Sequence, residues 1–520
     1  MDTGPTSLQP SPASGPHLVG IEPCRVLFVA SEIYPLAKTG GLADVCAALP
    51  PALAAHGVDV RLLMPGYPRA LEMALAPRVL VEFGDVLGVP GVRVLAARTP
   101  DSALPLWLVD SPGLYRRAGG PYQDERGQEW PDNALRFAVF AQVAARLAGA
   151  AVAATGWQPD VVHCHDWHCG LVPLLMKAAG TRARSVFTIH NAAFQGNYPL
   201  QDAARLGIGP AHAGCDGVEF YGRLSFLKAG IRYADRVTTV SPTYARELLG
   251  TEHGCGMEGV LAARGADFSG ILNGIDTRLW NPRSDPHLPR NYCVAEPDGK
   301  ATCKTALREE LGLQPSSDGP LAIMVSRLTR QKMADVVLAE LPALLQREPS
   351  MQFALLGRGE ADLEQGFTAL AAAFPGRVSA RIDYAEPDAH RLHAAADLLL
   401  HGARFEPCGL VQMYAMRYGT VPVVSRVGGL ADSVVDADDL DAGTGFVFDG
   451  CSGDALQRAI ARGIRTWRER PLHWGRLQAS AMRRDFGWQQ PAFDYLRLYA
   501  DTMRADHGSA APSEHHHAYQ

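Results

Sequence analysis

The chain lacks any uninterrupted apolar run long enough to span a bilayer, and its start lacks the basic and then apolar segments of a secretory leader. A membrane-spanning or secreted protein is therefore not expected, and a reducing cytoplasm is the predicted compartment. There is no surplus of positive charge, since 49 Lys and Arg face 55 Asp and Glu for a formal charge of −6. Nucleic acid and anionic membranes are thus not expected partners, and a site for an anionic ligand has to be assembled locally. A disulfide framework is missing as well, because the ten cysteines are scattered through apolar or glycine-rich runs. The G-x-G-x-x-G dinucleotide fingerprint is absent from the first strand–helix turn, which disfavours a dehydrogenase.

What is present is a repeated alternation of strand and helix. Runs such as RVLFVASE (25–32), VDVRLLMPG (58–66), PLWLVDSP (105–112), PDVVHCHD (159–166), RSVFTIHN (184–191) and RVTTVSP (236–242) alternate with helix-like segments such as 132–150. The pattern restarts at 320–328, 351–359, 377–384, 396–403, 420–429 and 444–450. Continuous apolar strands alternating with helices predict parallel βαβ units. At 520 residues two cores are expected. The prediction is α/β, two Rossmann-like doubly wound domains facing across a deep cleft. Residues 21–275 form the first, 276–485 the second, and a helix at 486–506 returns to the first. Residues 1–20 and 507–520 read as disordered tails, and the Pro/Asn/Asp-rich stretch at 280–300 as a linker or surface excursion.

The five letters GGLAD occur twice, in KTGGLADV (38–45) and RVGGLADSV (426–434), each between a strand and a helix. Glycines there let a backbone approach a ligand closely, and the helix N-terminus that follows offers free N–H groups. Lys38 adds a cation to the first copy; the plain alternative is a tight turn with a solvated lysine. Glu406 lies in a Phe-Glu-Pro-Cys-Gly turn after a strand, stiffened by Pro407 and opened by Gly409. It is placed either for chemistry or for hydrogen-bonding a polyol. Arg327 and Lys332, five positions apart in SRLTRQK, suit a diphosphate clamp or a solvated basic loop.

HCHDWHC (163–169) invites a metal reading, but His163 and His165 share one strand face, Cys164 takes the other, and no second ligand pair lies nearby. A strand end leading to a helix capped near Asp166 is preferred. His190, at another strand end, is a cleft candidate. The Asp436-Ala437-Asp438 triplet reads as part of an acidic loop and not as a sugar-transferase metal site.

In order, KTGGLADV, HDWH, FTIHN, FLKAGIRYADRVTTVSPTYARE, LNGID, SRLTRQK, ARFEPCGL and YGTVPVV…GGLADSV resemble bacterial glycogen synthase and plant starch synthase. These are retaining glycosyltransferases of the two-domain type B fold, and the resemblance runs from about residue 24 to about 505. It implies transfer of glucose from ADP-glucose to the non-reducing end of an α-1,4-glucan, with retention and without a cofactor or metal. UDP-glucose or another oligosaccharide product is the alternative within the enzyme class, and a non-catalytic glucan-binding protein the alternative outside it. Oligomeric state is not legible.

The resemblance implies roles for particular residues. Lys38, Gly40 and Gly41 line the donor site, with Asp44 in or beside that wall. His190 and Asn191 approach the donor glucose, and Arg327 and Lys332 hold the pyrophosphate. Glu406 hydrogen-bonds sugar hydroxyls near the reaction centre, while Cys408, Gly409 and Leu410 present backbone amides. Asn273, Gly428 and Gly429 belong to the substrate wall, and Tyr384 lies near the adenine. A same-face displacement, in which the leaving phosphate takes the acceptor's proton, is preferred over a double displacement on Glu406. Three departures stand out. His401-Gly402-Ala403 replaces the usual Val-Pro-Ser, Val411 a threonine, and Met333 a glycine.

Overall fold

A computed structural model describes residues 24–149, 156–315 and 318–504; the tails expected at 1–20 and 507–520 fall outside them. Runs of Val, Leu and Ile become strands where both faces are covered, and several of the central ones are buried along their whole length. In chain order the first half holds β1 (Arg25–Val29), β2 (Asp59–Pro65), β3 (Leu75–Val86), β4 (Val89–Arg98), β5 (Pro105–Asp110), β6 (Val161–His165) and β7 (Arg184–Ile189). Three short strands follow, β8 (Asn197–Pro199), β9 (Glu219–Phe220) and β10 (Arg223–Ser225), then β11 (Arg236–Thr239) and β12 (Phe268–Gly270). The second half holds β13 (Leu321–Val325), β14 (Gln352–Leu356), β15 (Val378–Arg381), β16 (Leu398–His401), β17 (Val421–Ser425) and β18 (Phe446–Phe448).

Among the described residues these make a nine-stranded sheet in the order β12-β11-β7-β6-β1-β2-β5-β4-β3, a small β8-β10-β9 sheet, and a six-stranded sheet in the order β15-β14-β13-β16-β17-β18. Pairing in the six-stranded sheet is parallel throughout, and the large sheet is antiparallel only at β3–β4–β5. That hairpin is not evident in the sequence because β3 is largely exposed and its register shifts repeatedly, so no clean apolar pattern marks it.

Among their parallel strands both sheets reverse order once, between β1 and β6 in the first and between β13 and β16 in the second. Open α/β sheets bind ligands at such points, beyond the carboxyl ends of the strands. The loops leaving β1, β6, β13 and β16 carry Glu32 to Gly41, Asp166, Arg327 to Lys332, and Arg404 to Leu410. Topology therefore delivers the chemically promising segments to two facing edges.

The Pro-rich stretch at 280–300 is a surface excursion anchored to the second domain and not a linker. Trp280 is buried and stacks at 3.8 Å on both His390 and Tyr414, and Asp285 accepts from the Tyr418 hydroxyl at 2.5 Å. Its apolar and aromatic residues anchor it to the second core, and its prolines shape the path without freeing it. The chain crosses between domains near Ile275 and returns near Phe486, and the crossings touch: the Ile275 N–H donates to the Phe486 carbonyl at 2.8 Å. The Gln489–Arg504 helix then buries Ala492, Tyr495 and Tyr499 in the core of the first domain. Among the described residues no helix is long and apolar enough to cross a membrane.

Candidate active site

The centre of the site is the turn after β16. Glu406 is buried there, and the Lys332 ammonium hydrogen-bonds its Oε2. The two loops are laced together by Arg404 N–H to the Gln331 carbonyl at 2.9 Å and Gln331 Nε2 to the Phe405 carbonyl at 3.2 Å. His401 Nε2 stands 3.6 Å from the same carboxylate oxygen. Burial by itself would raise the Glu406 carboxyl, but Lys332, His401 and exposed Arg327 outweigh it and hold the group below its ordinary value. Burial, then Lys332, pushes the His401 imidazole down to about 4, so it is neutral near pH 7.

The second GGLAD copy supports this turn from behind. The Gly429 N–H donates to the Glu406 carbonyl at 3.1 Å. A Cβ at Gly428 would lie 1.8 Å from that carbonyl oxygen, and one at Gly429 would lie 2.2 Å from the Cys408 carbonyl oxygen. Only glycine fits at either place. The first copy reaches the turn from the other domain: the nearest atom to a Cβ at Gly41 is Leu410 Cδ1, at 3.6 Å. One copy is thus the floor of the 406–410 turn and the other its opposite wall. The loop holding the first copy is fixed by Glu32, which accepts from the Thr39 and Gly40 N–H groups and from the Tyr122 hydroxyl at 2.6 Å.

Lys38 lies between the domains. It donates to Asp44 Oδ1 at 2.7 Å and to Glu386 Oε2 of the second domain at 3.4 Å, with the Tyr34 and Tyr384 rings 5.0 and 6.0 Å away. Burial works against its charge, yet Asp44, Tyr384 and Glu386 prevail and its ammonium is raised. Asp44 itself is raised, because burial outweighs its bond to Lys38. Tyr384 is half exposed beside this pair.

His190 directly follows β7 and shares a 3.0 Å hydrogen bond with His165 Nδ1; burial lowers it to about 3. Asn191 turns its Oδ1 onto the Ala193 N–H at 3.0 Å and so shapes its own loop. Asn273 is buried with its Oδ1 unpartnered and reaches the Cys408 thiol, which burial pushes up to about 12. That thiol is no nucleophile near neutral pH. Gly409 has φ +70°, a left-handed turn at the start of the Val411–Arg417 helix. His163 is fully used by the Tyr499 hydroxyl and Thr188 Oγ1, at 2.8 and 2.7 Å. Asp166, at φ +63°, caps the turn Trp167–Cys169, and Asp436 and Asp438 pair with Arg462.

Sequence reasoning passed over Glu32, Glu386, and the pair Thr243 and Glu247, which bond Asp432 and the Gly428 N–H of the second domain. A signal for Glu386 existed, since Ala385-Glu386-Pro387 repeats the acid–proline pair of Glu406-Pro407 at another strand–helix turn. Lysine itself was another. The chain has six, against 43 arginines, and five of the six hold a side-chain or carbonyl oxygen within 3.4 Å.

The departures at 333 and 402 prove to be neighbours. Met333 adopts φ +52°, the left-handed conformation that favours glycine, and is completely buried. A Cβ at Gly402 would come within 3.0 Å of its Sδ.

Known proteins resemble both halves of the chain. Residues 25–263 match the starch synthase catalytic domain, and residues 308–476 match the glycosyl transferases group 1 family. The chain is 59% identical over 467 residues to a glycogen synthase of Burkholderia thailandensis, covering 89% of this chain and 87% of that one. It is 49% identical to one of Paramagnetospirillum magneticum, covering 89% and 94%. The catalytic domain of starch synthase IV from Arabidopsis thaliana, bound to ADP and acarbose, superposes with a TM-score of 0.84 at 32% identity over 93% of this chain and all of that one. With both halves matched and the two GGLAD loops meeting at one turn, the chain belongs to the glycogen and starch synthase family, retaining glucosyltransferases of the type B fold that use a nucleotide-sugar donor and a glucan acceptor.

Proposed function

We propose that the donor is ADP-glucose and that the chain extends the non-reducing end of an α-1,4-glucan in the cytoplasm, without a metal ion. The observation that carries this reading is the contact of Lys332 with Glu406, next to Arg327 and on a turn packed against Gly428 and Gly429. Breaking the sugar–phosphate bond leaves positive charge on the ring and negative charge on the diphosphate. Arg327 and Lys332 meet the second, as a metal does elsewhere, and Lys38 adds charge from the opposite domain. Glu406 hydrogen-bonds the donor sugar's hydroxyls, close enough to the ring to favour its developing charge. His190 approaches the same sugar from the first domain, and Tyr384 lies near the adenine. The starch synthase IV neighbour, bound to ADP and acarbose, supports both the nucleotide and the glucan assignments.

Closure of the cleft excludes water, so the acceptor hydroxyl outcompetes hydrolysis. Its proton passes to the leaving phosphate on the same face, which gives retention without a covalent intermediate on Glu406. The test is chain extension of maltooligosaccharides with ADP-glucose and UDP-glucose in parallel, with and without EDTA. ADP-glucose is expected to be the better donor by kcat/KM and EDTA to change nothing. Preference for UDP-glucose, or loss of activity in EDTA, refutes the corresponding part.

A further inference from the structure

We propose that His165 fixes the tautomer of His190, keeping the His190 proton on Nδ1 so that the ring presents a hydrogen-bond donor to a hydroxyl of the donor sugar. The proposal rests on the reading that His190 faces the donor, and it assigns a positioning role to a residue that cannot itself reach a ligand.

His165 is completely buried at the end of β6, with the Phe28 ring 4.0 Å from its own and the His163 ring also at 4.0 Å. Its Nδ1 lies 3.0 Å from His190 Nε2, while its Nε2 is buried without a partner. The neighbouring His163 offers nothing, because the Tyr499 hydroxyl and Thr188 Oγ1 occupy both its nitrogens. Burial holds His165 and His190 alike well below the ordinary imidazole range, so each carries one proton near pH 7.

Two arrangements of those protons are possible. If His190 donated from Nε2, His165 would carry its proton on Nε2, an N–H buried with no acceptor. If His165 donates from Nδ1, what remains unfilled is only a lone pair. Orphaned buried donors are rarer than under-used acceptors, which selects the second arrangement. His190 Nε2 then accepts, and its proton sits on Nδ1, for which the described residues supply no hydrogen-bond partner. The nitrogen facing the protein thereby decides what the other nitrogen offers.

The test uses the full-length enzyme labelled with 15N-histidine. Long-range 1H–15N correlation, assigned by comparison with His190→Ala, is expected to show His190 protonated at Nδ1 and bare at Nε2; a proton on Nε2 overturns the proposal. His165→Phe keeps an aromatic ring but removes the donor, and kcat/KM for the donor is expected to fall about 10- to 100-fold. His165→Asn restores an N–H at the same place and is expected to recover most of the loss at a similar melting temperature. Equal losses in the Phe and Asn variants indicate a packing role and refute the inference. Adding His165→Phe to His190→Ala should cost nothing more; multiplicative losses refute it. A fully active His190→Ala enzyme overturns the placing of His190 at the donor, a result the spectrum reports separately from the tautomer.

Discussion

Thr243 and Asp432 hold the two domains together: the Thr243 hydroxyl donates to Asp432 Oδ1 at 2.5 Å and its N–H to Oδ2 at 2.9 Å. One turn along the same helix, Glu247 accepts from the Gly428 N–H at 2.8 Å. The helix Pro242–Glu247 of the first domain therefore grips both ends of the Gly428–Ser433 helix opened by the second GGLAD, the floor of the Glu406 turn.

Asp432→Ala removes both of Asp432's side-chain bonds, each worth about 1.5–3 kcal/mol where a charged group takes part. The donor KM is expected to rise about tenfold, with a smaller change in kcat, as the closed arrangement becomes less populated. Small-angle scattering should show a larger radius of gyration for the variant than for the parent. Identical scattering and an unchanged KM would show that closure does not depend on this latch.

Lys332 and Glu406 differ in what their loss leaves behind. Lys332→Ala is expected to lower kcat about 10²–10³-fold and also to lower the melting temperature, because it leaves a buried carboxylate without its main partner. Glu406→Gln keeps the shape without the charge. It should lose comparable activity with less loss of stability. Kinetics with ADP-glucose and thermal unfolding of both proteins check the contrast.

Asp166 gives the stability of the fold a pH dependence. Burial raises its carboxyl to about 8, against 3.8 for the free group, while the Trp167 N–H opposes the rise and the charge of Glu32 adds to it. Between those two values the folded state binds a proton that the unfolded chain has released, so this group's contribution falls as pH rises. Asp166→Asn has the same shape and keeps the cap to Trp167, its side-chain oxygen accepting the same N–H. The variant is expected to gain on the parent progressively from about pH 4 to pH 8 and to level off above. Urea unfolding across that range measures it, and a pH-independent difference would refute it.

Met333 and Gly402 should behave as a coupled pair. Gly402→Ala alone meets the Met333 sulfur and the Phe448 ring at 3.0 and 3.3 Å, and is expected to cost about 1–3 kcal/mol. Met333→Gly relieves about 1–2 kcal/mol of left-handed strain but opens a cavity, which for a buried methionine truncated to alanine costs about 2–5 kcal/mol. Together the two changes should be less destabilising than their sum. An additive double-mutant cycle would show that the departures are independent.

Much of the site was readable because carboxyl-end loops punctuate apolar strands with Gly, Pro and isolated charges. Strand runs located the two edges, and Lys38, Arg327, Lys332 and Glu406 fell at their ends. What escaped were contacts made only by folding. Nothing in the local pattern says that Glu386 meets Lys38 across 348 positions, or that Glu247 takes the Gly428 N–H. The β3–β4 hairpin was invisible because exposed strands need no apolar alternation, and 280–300 looked like a linker because its prolines hid the aromatic anchors among them. Met333 was recognisable as unusual, but its partner at 402 appears only when the space between them is known.

The closing helix has a bearing on the order of events in synthesis. Tyr495 and Tyr499 lie in the interior of the amino-terminal half, and the hydroxyl of Tyr499 reaches His163 at 2.8 Å. A ribosome that has released the first 275 residues has thus made a half still missing part of its own interior. Maturation of that half waits for residues 489–504 to emerge, and loss of their helix by early termination is felt in a domain made long before it.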